Sequence, residues 1–359
     1  MTASTGRGLL HLAAALDLPG AYDPQPYTEL VRLAERGALD FVTLGDSFGR
    51  PGPDALAVLA RLAPVTGRVG LVPTVTTTHT EPFHLQAAVA TLDWVSRGRA
   101  GWQAEVSQGE HEARLFGRRA AAPPEALWRE ATDVAEAATR LWDSWEDDAE
   151  IRDTSTGRFI DRDKLHYVDF QGATFSVKGP SIVPRSPQGH PVIVVDATDP
   201  HARDTAARYA DVALVRAAGP AQSAALRTGL RTAAAAHGRD PDTLRVLAAL
   251  AVDLGEGEYA AEPGHGGGGP RPSPYGPLYR GGPVDLAELI AAWHSSGAAD
   301  GFHLTPVEPR RDLERLVNGT VPLLQHRGLF RTFYPGSTLR EHLGLARPAN
   351  RYALVGDPS

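Results

Sequence analysis

Apolar residues along this chain gather into eight short runs separated by stretches with helical spacing. The runs are LLHLAAAL (9–16), LDFVTLG (39–45), RVGLVPTV (68–75), RAGWQAEV (99–106), HPVIVVD (190–196), DVALVRA (211–217), LRVLAALAV (244–252) and DGFHL (300–304). Most are continuous rather than alternating, which predicts parallel strands covered on both faces. Helices are predicted at 28–36, with Thr28 as N-cap and Gly37 as the stop, at 54–63 after Pro53, and at 82–97 before Gly98. Further helices are expected at 125–142, 200–209, 220–237 and 284–296. Strand followed by helix throughout predicts an α/β fold of the TIM (β/α)8 type, one domain over 1–359. A doubly wound sheet would want a Gly-rich phosphate turn after an early strand, and neither GxGxxG nor GxxxxGK[ST] is present.

Two insertions interrupt the pattern, after strands 4 and 7. Residues 143–189 contain LHYVDFQGATFSV, which predicts a hairpin turning at Gln171-Gly172. Residues 255–283 are Gly/Pro-rich and read either as a disordered loop or as a mobile lid over the barrel mouth. A C-terminal segment, 320–359, is expected to dock on the barrel or on a second subunit, with Phe330, Phe333 and Tyr334 as packing residues. Asp17 interrupts the first apolar run, which therefore reads as a strand rather than a leader.

Composition narrows the function. A formal charge of −7 disfavours nucleic acid and anionic membrane surfaces as partners, and no apolar run is long enough to span a bilayer. Without cysteine there is no disulfide framework, thiolate metal site or thiol nucleophile, in keeping with a cytoplasmic protein. The fourth run is the odd one. Gln103 and Glu105 are polar residues on a strand that ends in a polar loop, SQGEHEARLFG, as expected if that end faces a site.

Longer stretches carry a resemblance. RSPQGHPVIVVDATDPHARDTAARYADVALV (185–215), DGFHLTP (300–306), VPLLQHRGLFRTFYPGSTLREHLGLARPANR (321–351), TEPFHLQAAVATLDWVSRGRAGW (80–102) and YVDFQGATFSVKGPSIVPRSPQG (167–189) are similar to the bacterial-luciferase superfamily. The branch is that of nitrilotriacetate and dibenzothiophene-sulfone monooxygenases. The resemblance implies a TIM-barrel enzyme using reduced FMN from a separate reductase and O2. Through a flavin C4a-(hydro)peroxide it would oxygenate a small organic substrate, and homodimers packed through barrel-face helices are expected.

It also implies site residues. Asp46 and Thr78 match a family Asp and Thr after the second and third strands, near the flavin. Gln103 stands for a family Asn. Ala197, Thr198 and Asp199 replace a Gly-Ser-Ser phosphate turn, and Pro124 and Trp128 replace a His and Tyr at the phosphate. Asp199 also reads as an N-cap of the helix beginning at Pro200, with Arg203 or Arg216 as possible compensating cations. His79, His303 and Glu105 are the candidates for proton handling, and His84 reads as a packing residue. A second reading is a barrel without flavin, acting through His79, Glu105 and His303 or as a non-catalytic partner subunit. In that reading the same three could form a metal facial triad.

Overall fold

The computed structural model describes residues 8–255 and 269–353. Eight parallel strands close on themselves: β1 (His11–Ala15), β2 (Phe41–Leu44), β3 (Gly70–Thr76), β4 (Gly101–Glu105), β5 (Val192–Asp196), β6 (Val212–Val215), β7 (Arg245–Asp253) and β8 (Gly301–Pro306). Each pairs with the next, and β8 pairs with β1 through His11 opposite Gly301, which completes the TIM barrel. Helices lie between the strands. α1 (Pro24–Arg36) starts earlier than the pattern suggests, because Asp23 accepts the Gln25 N–H at 2.9 Å and Pro24 presets the first turn. α2 (Ala55–Leu62) is capped by Asp54, which accepts from the Ala57 N–H. α3 (Pro82–Ser96) follows β3.

The chain after β4 holds more than expected. A short helix, α4 (Glu110–Phe116), precedes α5 (Pro124–Asp143). The 143–189 insertion forms two hairpins rather than one: Glu150–Asp153 with Arg158–Ile160, and Phe170–Gln171 with Ser176–Val177. The second turns through Gly172–Phe175, two residues wider than expected. α6 (Arg203–Tyr209), α7 (Pro220–Ala236), α8 (Pro283–Ser296) and α9 (Pro309–Arg315) complete the ring. Among the described residues, no helix is long and apolar enough to cross a membrane.

Strand parity sorts the core. Trp102, Ala104, Ile193, Val195, Phe302 and Leu304 point outward into the helices, while Ala13, Phe41, Val72, Val192, Val194, Leu214 and Leu247 fill the barrel. The filling continues below the strands into α11 (Leu339–His342, after α10 at Val321–His326), where Leu339, Leu343 and Leu345 seal the N-terminal mouth. The C-terminal segment thus docks on its own barrel. Phe330 is buried and Tyr334 packs on the core, but Phe333 is exposed. In the 255–283 loop, residues 256–268 lie outside the described residues. The remainder is ordered, contrary to a plain loop: Arg271–Ser273 pairs with Gly276–Arg280, which adds to β7 beyond the end of β6.

Candidate active site at the C-terminal mouth

The odd residues of the fourth run are explained by parity. On β4, Trp102 and Ala104 face the helices, with the Trp102 indole N–H donating to the Val75 carbonyl at 3.0 Å. Gly101, Gln103 and Glu105 therefore face the barrel interior. In register, Gln103 lies opposite Thr74 and Glu105 opposite Thr76, so the interior turns from apolar at the N-terminal mouth to polar at the other. Active sites of this fold sit at that polar end.

Glu105 is half-buried. Burial pushes its carboxyl up, the Val106 N–H donating at 3.1 Å pulls back, and nearby Asp196 adds to the rise. Asp196 ends β5 on the interior face and pairs with Arg216 Nη1 at 2.6 Å. A Cβ on Gly276 would sit 2.9 Å from Arg216 Cδ, and φ there is +91°, so only glycine lets the hairpin tip lie against this arginine. Arg216 therefore compensates Asp196, not Asp199 as the sequence suggested.

Thr78 is buried, and its hydroxyl accepts the Ser107 N–H at 3.1 Å, tying the end of β3 to the end of β4 while its own proton stays available. His79 follows at φ +66°, with its ring stacked on Phe116 at 4.7 Å. Asp46 is used by its own turn: it accepts from Ser47 N–H (2.7 Å) and Ala55 N–H (3.0 Å). It lines a cavity of about 310 Å³ with Phe48, Thr76 and His84, and His84 is exposed rather than packed. His303 lies deeper than its strand position suggested. It is buried beside Phe41, its Nε2 is 2.8 Å from the Thr43 hydroxyl, and burial lowers its pKa to about 4. Among the described residues no group of three His, Asp or Glu is placed to hold a metal, so His79, Glu105 and His303 form no facial triad.

The turn after β5 is largely self-satisfied. Asp199 caps it as an N-cap, accepting the His201 N–H at 2.9 Å, and Thr198 N–H donates to Asp196 at 3.0 Å. The Thr198 hydroxyl accepts the Arg216 N–H at 3.0 Å. Arg203 reaches back to the Ala197 carbonyl at 3.3 Å. Pro124 opens α5, and Trp128 one turn later packs in the same cluster as Ala197 and Ala202. Among the described residues its buried indole N–H has no partner. Sequence reasoning named Trp128 and Arg216 but missed Asp196, Phe116 and Phe48. The signal for Asp196 was available: it is the first polar residue on the interior parity of VIVVD.

Residues 7–265 match the family model of luciferase-like monooxygenases. The chain is 33% identical to nitrilotriacetate monooxygenase component A of Aminobacter aminovorans, over 93% of this chain and 92% of the relative. It is 32% identical to N-acetyl-S-(2-succino)cysteine monooxygenase of Bacillus subtilis (strain 168), over 91% of each. An EDTA monooxygenase from Chelativorans sp. BNC1 superposes with a TM-score of 0.83 at 22% identity, covering 96% of this chain and 100% of that one. Barrel, polar mouth and relatives converge: this chain belongs to the luciferase-like monooxygenases and is an oxidoreductase of that family.

Proposed function

We propose that the protein is the oxygenating component of a two-component system. Reduced FMN from a separate reductase and O2 would meet at the C-terminal mouth, and one oxygen atom would go to a small, partly apolar organic substrate. FMN, when bound, supplies the O2-activating chemistry. The working unit in this reading is a homodimer packed through barrel-face helices.

Trp128 carries the reading. A buried N–H without a partner is a donor in need of an acceptor, and it packs with the turn where the cofactor's phosphate end would lie. Thr198, through its free hydroxyl proton, and Arg203 are the other donors there. Ala197 lines the same turn. Asp199 opposes them: a carboxylate about 4 Å from a phosphate charge costs roughly 4 kcal/mol per unit charge at an effective dielectric near 20. At the ring end, Thr78 and Gln103 offer a hydroxyl and an amide, and Asp46 stiffens the β2 turn beneath. Glu105, whose pKa burial raises, is the carboxyl placed at the mouth for proton handling. His303 acts from below as a neutral ring bound to Thr43, and His79 is the second proton-handling group.

Titration with FMN and with photoreduced FMN under argon tests this, with Asp199→Ser alongside. The wild type is expected to bind reduced FMN, and Asp199→Ser to bind it at least about tenfold more tightly. Absence of binding by both proteins would sink the proposal.

A further inference from the structure

Helix α4 has no part in the roles above, yet it is fastened to the mouth at three points. Glu112 Oε1 accepts from the Ser47 hydroxyl at 2.8 Å and from the Gly49 N–H at 3.0 Å, which locks the β2 loop to the helix. Phe48 from that loop meets Phe116 edge-on, with ring centroids 4.7 Å apart at 73°. Phe116 in turn lies flat on His79, centroids 4.7 Å apart at 14°.

His79 pays for its position with a left-handed backbone, φ +66°, which a residue with a side chain keeps only when its surroundings impose it. Its Nδ1 is buried and, among the described residues, has no partner. A charged imidazolium would bury an unpaired N–H at that atom. A neutral ring protonated on Nε2 leaves only a lone pair there and keeps Nε2–H as a donor. The environment agrees: burial lowers the pKa of His79, and Arg119 and Arg118 reinforce that against Glu130 and Glu112. Arg119 is itself held by Glu130 through two contacts of 2.7 and 2.6 Å.

We propose that α4 and the β2 loop form a brace in which Phe116 is a positioning residue, fixing His79 as a neutral Nε2–H donor at the mouth. This deepens the monooxygenase reading and depends on it. Beyond the stack itself, the charged groups facing His79 are Glu112 of α4, Arg118 and Arg119 of the following loop, and Glu130 of α5.

The test uses the full chain with labelled histidine, followed by NMR through a pH titration. Single-turnover reoxidation of chemically reduced FMN by O2 is then followed from pH 5 to 8.5. In the wild type, His79 is expected to titrate below the ordinary 6.5. In Phe116→Ala the titration should rise toward 6.5, the acid limb of the rate profile should move up with it, and the rate at pH 7 should fall about 10- to 100-fold. Phe116→Tyr, which keeps the stack, should restore both, and Phe116→Leu replaces the alanine variant should that fail to fold. An unmoved His79 titration in Phe116→Ala or Phe116→Leu overturns the brace. A profile unchanged in His79→Gln overturns the positioning role by removing His79 from the chemistry. Failure of the broader reading is separate, because it appears as absence of FMN binding while the titration of His79 still answers to Phe116.

Discussion

Asp40 lies fully buried at the N-terminal mouth, accepting from Arg331 at 2.7 Å and from the Leu12 N–H at 2.8 Å, with His11 Nδ1 at 3.1 Å. Burial alone would raise its pKa, but Arg331 and His11 outweigh it and hold the carboxyl at about 2. Asp40→Asn would leave a buried guanidinium without its counter-charge, and a loss of about 3–5 kcal/mol is expected in urea unfolding at pH 7. Because the folded pKa is depressed, the pair's contribution is complete above about pH 4 and is lost as pH falls through 4 toward 2. Wild-type and variant urea midpoints should therefore converge near pH 2; a constant gap would assign the loss to packing instead. That the end of β4 faces a site was legible, because Gln103 and Glu105 are polar positions on a run otherwise fit for burial. The pairing of Asp196 with Arg216 was not, because partners twenty residues apart meet only once β5 and β6 lie side by side in register. Nor was the left-handed backbone of His79 or its stack on Phe116, which comes from another element.

Strands and helices follow the same division. The eight barrel strands are covered on both faces, so they appear as apolar runs that little else in a chain produces. Glu150–Asp153 and Arg158–Ile160 are short, charged and largely exposed, and leave no such trace. α4 is only seven residues long with one buried position, too little for a period to emerge. Closure of the barrel depends on a strand position that tolerates no side chain: a Cβ on Gly301 would come 2.0 Å from the His11 carbonyl oxygen. Gly301→Ala should force β1 and β8 apart, costing more than about 4 kcal/mol. Thermal unfolding would check it, and a midpoint within about two degrees of the parent would mean the seam can spread.

At the scale of the molecule, the barrel has two unlike ends: a polar C-terminal mouth and an N-terminal mouth stoppered by apolar side chains. Leu339 sits at the centre of the stopper, fully buried, and a Cβ on Gly70 would strike it at 2.7 Å. Leu339→Ala is expected to cost about 2–5 kcal/mol in urea unfolding while leaving FMN affinity unchanged. Altered affinity in that variant would mean that the two ends communicate. The fold class was legible from the order of elements alone. The identity of the stopper was not, since LREHLGL resembles any short amphipathic turn until the barrel above it exists.

The stopper also sets a timetable for the nascent chain. β1 finds its second neighbour only when residues near 301 have been made, and the barrel floor is absent until residues 339–345 follow. At about 5–20 residues per second, the roughly 330 residues between β1 and the stopper take on the order of 15 to 65 s to synthesise. For most of that interval β1 has one unpaired edge, and until its end Phe41 and Val72 lack their cover. Yield in the cell should therefore depend on chaperone supply and translation rate more steeply than the stability of the finished enzyme would suggest.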